Sequence, residues 1–160
     1  MVKKSSKKKL TIKKAHKYFS AQCFNKTWDY LDMPERTAEQ DEEMLRSAMA
    51  SHWHWTQRKD YGPVSKSIAN WQVSRVFATL GQADNAHRYG QRALDALEGQ
   101  ENLPFYQGYG YEALARAEAV AGDAAQMKSY LEKARHAAAE VSDDDSKQLL
   151  LSDIETITLT

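Results

Sequence analysis

The chain has few of the residues that would cross-link it or anchor it in a membrane. Among its 160 residues there is one cysteine, Cys23, so an intramolecular disulfide is excluded. No segment approaches the roughly 18 consecutive apolar residues that a membrane-spanning helix needs, and the mean hydropathy is negative. Met1 is followed by Val-Lys-Lys rather than by an apolar stretch, so we expect no secretory signal and a cytoplasmic location.

The short motifs of the common enzyme classes are missing as well. There is no G-x-G-x-x-G, no Walker loop, no G-x-S-x-G and no H-E-x-x-H. His52 and His54 are poorly placed to share one metal, because on a helix they diverge by about 200 degrees. Cys23 supplies no Cys-x2-Cys element. We therefore expect no metal site and no cofactor, we assign no catalytic residue, and we favour a non-enzymatic role.

Acidic residues are absent from the first 28 positions, which carry nine lysines. The remaining 132 residues hold 13 Lys or Arg against 22 Asp or Glu, so an acidic body follows a basic segment. We predict that residues 1–10 form a disordered basic arm and that residues 11–160 form a single helical-repeat domain. Such an arm binds nucleic acid only through salt-sensitive phosphate contacts. Beyond those contacts we expect no nucleic-acid partner and no membrane.

Signals for helix starts and ends are dense, whereas strand patterns are nearly absent. Thr37-x-x-Gln40 is a capping box, Pro104 suits a first helical turn, and residues 142–145 place carboxylates before a last helix. Together with the apolar periodicity, these signals predict seven helices at about residues 12–33, 38–57, 63–80, 83–98, 104–121, 123–141 or 124–141, and 146–157.

One helix-turn-helix pattern occurs twice. The motif Leu80-Gly81-x4-Ala86-x6-Ala93 returns 41 residues later as Ala121-Gly122-x4-Met127-x6-Ala134. Each glycine closes a helix because it adopts left-handed backbone without a Cβ clash. Turns this short make the two flanking helices antiparallel. We therefore predict an all-α fold of three antiparallel helix hairpins, stacked as a right-handed repeat array and completed by a C-terminal capping helix.

The residues near the two turns resemble the tetratricopeptide repeat. Tyr111-x2-Leu114-Ala115 is similar to the W-x2-L-G element of that repeat, and Val73-Ser74-x2-Phe77 is similar to its L-G-x2-Y element. The period of 41 residues is longer than the usual period of roughly 34. The resemblance implies a tetratricopeptide-like stack and no particular function, because such folds present different surfaces to different partners.

From about Ala15 to Ile157 the chain is similar to a group of small bacterial proteins. The shared segments are Trp28-Asp29, Glu42-Glu43-Met44-Leu45, Ala50-Ser51, His54-Trp55, Trp71-Gln72-Val73-Ser74-Arg75-Val76, Tyr111-Glu112-Ala113-Leu114-Ala115-Arg116-Ala117 and Val120-Ala121-Gly122-Asp123. Met49, Trp53 and Asn70 stand where the group usually has a His, a Tyr and an acid. This resemblance implies no particular activity.

Charged residues interrupt the apolar helices in the middle of the array. Trp71 and Arg75 are four residues apart, as are Glu112 and Arg116, so each pair shares one stripe of its helix and an Arg75 to Glu112 contact is expected. Such a pair either orients a ligand or fixes the register of two helices. We place the candidate ligand or partner site where the second, third and fifth helices approach one another, at His54, Trp55, Trp71, Arg75, Tyr111, Glu112 and Arg116.

Two functions are compatible with these features. We favour a non-enzymatic helical-repeat scaffold that binds a protein or peptide, and we leave open its self-association as a homodimer. The alternative is a small-ligand or enzymatic pocket lined by the central aromatic and charged residues. A closed pocket with convergent polar groups would favour the pocket, whereas an open groove or an exposed apolar patch would favour the scaffold.

Overall fold

A computed structural model of the chain describes residues 11–159. Within that range there are seven α-helices and no strand, which confirms the predicted all-α class. In chain order the helices are α1 (Ile12–Leu31), α2 (Ala38–Thr56), α3 (Pro63–Thr79), α4 (Ala83–Asp95), α5 (Pro104–Ala121), α6 (Ala124–Ala139) and α7 (Asp144–Glu155). None of these seven has both the length and the apolar character that crossing a bilayer requires. The predicted disordered arm, residues 1–10, lies outside the described residues.

Side-chain caps begin several of the helices. The capping box predicted at the start of α2 is present, because the Thr37 hydroxyl accepts the Gln40 N–H and the Gln40 side chain accepts the Thr37 N–H. The carboxylates of Asp123 and Asp143 accept backbone N–H groups at the starts of α6 and α7. Since Asp143 is the cap, α7 begins at Asp144, two residues earlier than predicted.

The two glycine turns share one geometry. Gly81 and Gly122 have φ angles of 71° and 78°, in the left-handed region where only glycine fits without strain. In each turn the next residue donates its N–H to the carbonyl five positions back, from Gln82 to Phe77 at 2.9 Å and from Asp123 to Glu118 at 3.0 Å. These bonds satisfy carbonyls that the helix end would otherwise leave unpaired.

Consecutive helices pack in pairs: α1 on α2, α3 on α4, and α5 on α6. Along α1 and α2 the Ser51 hydroxyl donates to the Ser20 carbonyl at 2.8 Å, and Lys26 bridges to Glu43 at 3.6 Å. Residue numbers thus rise along α1 as they fall along α2, so these two helices are antiparallel.

The odd-numbered helices form one side of the molecule. Along α3 and α5 the Trp71 ring contacts the Tyr109 ring, and Arg75 bonds to Glu112, so these two helices run in the same direction. The Trp28 ring of α1 lies 5.7 Å from the Trp71 ring, and α7 packs against α5. We call the surface formed by α1, α3, α5 and α7 the odd-helix face.

Two apolar clusters hold the helices together. The first joins α2, α3 and α4 to α5 and contains Met44, Ala48, Val73, Val76, Phe77, Ala86, Tyr89 and Ala117. The second joins α5, α6 and α7 and contains Ala115, Ala119, Met127, Leu131, Ala134, Ala138, Leu150, Ile154 and Ile157. Small residues allow close approach in both. At Gly110 an added Cβ would lie only 2.7 Å from Leu94 Cγ, so the Leu94 side chain of α4 packs directly on the α5 backbone.

Candidate functional site

Glu112 of α5 is the only charged residue in the range 11–159 that is completely buried. Its Oε2 accepts the Trp71 indole N–H at 2.9 Å, and its Oε1 accepts an Arg75 N–H at 2.9 Å. Arg116, one turn later on α5, donates its Nε–H to the same Oε1. Two guanidinium groups and one indole therefore compensate a carboxylate that has been removed from water.

The helical period of the sequence produces this arrangement. On α3, Trp71 and Arg75 are four residues apart and project in the same direction toward α5. On α5, Glu112 and Arg116 are likewise four apart and lie within ion-pairing reach along one stripe. The structure thus brings together Trp71, Arg75, Glu112 and Arg116, including the expected contact between Arg75 and Glu112.

The network continues from α5 to α7. A terminal N–H of Arg116 donates to the Asp153 carbonyl at 2.8 Å and to the Thr156 hydroxyl at 2.5 Å. The Tyr109 hydroxyl donates to the Asp153 carboxylate at 2.8 Å. The Asp153 carbonyl lies in the last turn of α7, and the Thr156 hydroxyl belongs to the residue that follows the helix. The Glu112 network therefore ties three odd-numbered helices to one another.

Burial changes the acid-base properties of the network. Desolvation lowers the pKa of the Arg75 guanidinium, and the Glu112 carboxylate opposes that effect. Desolvation also raises the pKa of Tyr109, and the hydrogen bond to Asp153 raises it further, so the phenol stays protonated as a donor. Both oxygens of Glu112 already accept hydrogen bonds. The carboxylate of Glu112 is therefore fully engaged in contacts that join α3 to α5.

An aromatic cleft opens on the odd-helix face beside this network. Its volume is about 350 Å³, and its walls come from all four odd-numbered helices. Apart from the buried Ser67, every lining residue is half-buried or exposed, so the cleft opens to solvent along its length. We call this feature the aromatic cleft; it is lined by Phe24, Trp28, Ser67, Ile68, Trp71, Phe105, Tyr106, Tyr109 and Leu149.

One end of the odd-helix face is basic. Lys13, Lys17 and Lys59 are exposed and line a pocket together with Arg58, whose guanidinium is paired with Asp60. The hydrogen bond that Arg58 donates to Asp60 lowers the pKa of the Asp60 carboxyl to about 2. Lys17 lies seven residues before Phe24 on one stripe of α1, which is about 10 Å along the helix. Exposed lysines therefore lie near one end of the aromatic cleft, where Lys17 also interacts with the Asp60 carboxylate.

The two predicted site residues of α2 lie elsewhere. His54 makes a 2.9 Å contact between its Nδ1 and that of His16 in α1, and its ring stacks on Phe19. The Arg58 guanidinium covers the Trp55 ring at 3.6 Å from its centroid. The structure does not bring these residues to Glu112, because the turn of α2 that carries them packs on α1 rather than on the Glu112 stripe.

Tyr111 also lies apart from the network. It packs against the cluster between α5 and α6, and Lys133 Nζ lies 5.9 Å from its ring centroid. Since Tyr111 precedes Glu112 by one residue, its side chain projects about 100 degrees away around the helix. The predicted set of seven residues is therefore divided: four, including Glu112 itself, form the Glu112 network, and the other three make contacts elsewhere.

Several residues of this region were not among those predicted from the sequence. Tyr109 lies one turn before Glu112, and that spacing could have suggested its place on the same stripe. Asp153 follows Glu112 by the same 41 residues that separate the two turns, so the repeat itself identifies it. The cleft residues of α1 and α7 gave no comparable signal, because only the tertiary packing brings those helices beside α3 and α5.

Within residues 11–159, no three or more His, Cys, Asp or Glu side chains are grouped so that they could hold a metal ion. Comparisons of the chain with protein-family models, with curated proteins and with solved structures find no match.

Proposed function

We propose that this protein is a non-enzymatic, tetratricopeptide-like scaffold whose aromatic cleft binds a segment of a protein or peptide. The three helix pairs would form stacked hairpins, with α7 as the capping helix. In such an array the first helices of successive repeats line one binding face. The parallel course of α3 and α5 and the packing of α7 on α5 support this arrangement.

The aromatic cleft is the observation that carries the proposal. Its lining is almost entirely apolar: the Trp71 indole bonds to Glu112 and the Tyr109 hydroxyl bonds to Asp153, which leaves Trp28, Ser67 and Tyr106 to offer polar groups. An aliphatic or aromatic side chain would bury its surface against several rings of this lining. An open cleft of this kind suits the side chains of a longer segment.

The charge near the cleft specifies the partner further. Lys13, Lys17 and Lys59 are exposed near one end of the cleft. Lysines at the rim favour a partner with carboxylates, because complementary charge speeds association and disfavours like-charged competitors. We therefore infer an acidic segment that inserts apolar side chains between the rings.

Selection from a displayed peptide library tests this function. The full chain serves as bait, and counter-selection uses the Leu149→Glu variant, which places a charge at the exposed rim of the cleft. Selected peptides are expected to carry acidic residues beside aromatic or aliphatic ones. Leu149→Glu should weaken their binding at least about tenfold, or about 1.4 kcal/mol. The matched control is Leu159→Glu, because Leu159 is 50% exposed, Leu149 is 55% exposed, and Leu159 is not part of the cleft.

Two outcomes would contradict the scaffold. One is peptide binding that Leu149→Glu and Leu159→Glu affect equally, since the cleft would then not be the site. The other is a metabolite that co-purifies with the wild-type protein, is lost in Leu149→Glu and competes with no peptide. That result would support the small-ligand pocket instead.

A further inference from the structure

One hydroxyl at the base of the aromatic cleft has no hydrogen-bond partner. Ser67 of α3 is 3% exposed and is the most buried of the residues that line the cleft. Its hydroxyl bonds to no group within residues 11–159, whereas the hydroxyl of Ser74, two turns later on α3, donates to the Ala86 carbonyl at 2.7 Å. Ser67 therefore keeps both a donor and an acceptor at the base of an aromatic surface.

The Ser67 hydroxyl faces the cleft. Within residues 11–159, the only fully enclosed side-chain nitrogen or oxygen without a partner is Trp55 Nε1. Since Ser67 Oγ also lacks a partner, it is not fully enclosed, and the cleft that Ser67 lines is where solvent reaches it. On α3, Ser67 lies one turn before Trp71 on the same stripe. A side chain that enters the cleft therefore meets this hydroxyl at the end of its path.

Aromatic rings enclose the approach to Ser67. The Trp71 ring lies 5.7 Å from the Trp28 ring and 5.0 Å from the Tyr109 ring. Among residues 11–159, those that line the cleft carry no charge. A carboxylate or an ammonium group at this depth would lose its hydration without gaining an ion partner, which is costly. The group that reaches Ser67 must therefore be polar but neutral, and an apolar body must carry it.

Tyrosine is the side chain that meets these conditions. Its ring packs against other rings, and its hydroxyl lies on the axis of the ring, so the oxygen leads when the ring enters end-on. The indole N–H of tryptophan lies on the flank of its ring, and the hydroxyls of serine and threonine lie too close to the backbone. The cleft volume of about 350 Å³ is at the lower end of the range for ligand pockets, which suits single inserted side chains.

We propose that Ser67 selects a tyrosine side chain of the partner, whose phenol donates its O–H to Ser67 Oγ while its ring packs against the rings of the cleft. This inference rests on the proposed function of the cleft as the site for an acidic segment, and it names the residue that anchors that segment. Ser67 is then a specificity-determining residue. A bound phenylalanine would fill the same space but would cover the Ser67 hydroxyl without bonding to it.

Two short peptides that differ by one oxygen atom test this assignment. The first is Asp-Glu-Tyr-Glu-Asp, blocked at both ends, and the second has phenylalanine in place of tyrosine. Each is titrated into the isotopically labelled full chain, and the indole N–H resonances of the four tryptophans report the dissociation constant. With the wild type, the tyrosine peptide is expected to bind about tenfold more tightly, which is the effect of one hydrogen bond.

The variant Ser67→Ala completes a double-mutant cycle. It removes only an oxygen without a protein partner and substitutes a better helix former, so the melting temperature should not fall. The two peptides should then bind equally, within about twofold. Ser47→Ala is the matched control, because Ser47 is 6% exposed on α2, has no side-chain hydrogen bond within residues 11–159 and lies outside the cleft. The preference for tyrosine should persist in that control.

The contrary outcomes separate this inference from the proposed function. If the wild type binds both peptides equally and Leu149→Glu weakens both, the cleft binds acidic segments but Ser67 selects nothing, and the inference alone is overturned. A preference for tyrosine that persists in Ser67→Ala also overturns it and assigns the recognition to Trp28 or Tyr106. If neither peptide binds, or if Leu149→Glu weakens neither, the proposed function fails together with the inference.

Discussion

Trp71 and Glu112 stand 41 residues apart, the same spacing as the two glycine turns, and a 2.9 Å hydrogen bond joins the indole of the first to the carboxylate of the second. They therefore lie at corresponding distances from the two glycine turns. Arg75 and Arg116 have the same spacing, and both bind Glu112. A further 41 residues on, Asp153 accepts the bond from Tyr109. The 41-residue spacing thus recurs between polar groups that bond across neighbouring odd-numbered helices, where they fix the register between those helices.

Removal of the central charge should destabilise the fold strongly. In Glu112→Gln both guanidinium groups lose their ion-pair partner in a largely buried setting, and breaking such a pair costs about 3 to 5 kcal/mol. The free energy of unfolding from urea titration measures the loss. The matched control is Glu118→Gln on the same helix. Glu118 bonds to His87, whose side chain is 43% exposed, so its loss should cost about 1 kcal/mol or less. Equal losses in the two variants would contradict a structural role for the network.

Arg116 should hold α7 on the rest of the molecule. It donates to the Asp153 carbonyl and to the Thr156 hydroxyl while it neutralises Glu112. In Arg116→Met these contacts are lost, so amide hydrogens of α7 should exchange faster while those of α3 keep most of their protection. Hydrogen exchange followed by mass spectrometry measures both helices. Arg135→Met at an exposed position of α6 is the control and should change neither; uniform acceleration in all helices would instead indicate global destabilisation.

Local signals predicted the secondary structure well, because capping and turn residues act over a few positions. The start of α2 follows from Thr37 and Gln40, and α5 has the predicted bounds, Pro104 to Ala121. The predicted end of α4 was less accurate. The prediction continued to residue 98, whereas the helix is already capped at Ala96. No glycine or proline marks that end in the sequence.

The site was predictable only where it follows the repeat. Arg75 and Glu112 belong to stripes that the helical period defines, and equivalent repeats bring those stripes together. His54 has no such constraint, because the rotation of α2 about its own axis depends on how Met44 and Ala48 pack on α3. Tyr111 differs from Glu112 by one position, and that single step turns it toward α6.

Glycine in the middle of α5 should be required for close packing. A Cβ at Gly110 would lie 2.7 Å from Leu94 Cγ, so the Leu94 side chain would have to leave its position or the two helices would have to separate. Alanine is the better helix former by roughly 1 kcal/mol, yet overpacking typically costs about 1 to 3 kcal/mol. We expect Gly110→Ala to lower the free energy of unfolding, measured by urea titration. In Gly62→Ala no atom lies within 4 Å of the added Cβ; there alanine's poorer N-capping and its lower unfolded-state entropy act in opposite directions, so the change should stay within about 1 kcal/mol. A stabilised Gly110→Ala variant would contradict this packing.

Stability should fall as the solution becomes acidic below about pH 6.5. Burial lowers the pKa of His52 from its ordinary value of 6.5; the hydrogen bond that the ring donates to the Asn70 side-chain oxygen raises it, and Arg92 lowers it further. Burial and the neighbouring His16 also lower the pKa of His54. The unfolded chain therefore takes up protons at a higher pH than the folded chain. The two histidines therefore contribute their full stabilisation above the ordinary imidazole pKa. The free energy of unfolding decreases as the pH falls below that value toward the lower pKa of the folded state.

Urea titrations at a series of pH values from neutral to about 5 measure this effect, since most carboxylates remain ionised in that range. His52→Gln should flatten part of the decrease, because glutamine can still hydrogen-bond to Asn70 but cannot be protonated. His52→Gln combined with His54→Gln should flatten it further. A wild-type protein whose stability is constant or increases toward pH 5 would contradict the neutral state of both rings. A decrease that persists unchanged in the double variant would assign the proton uptake to other groups.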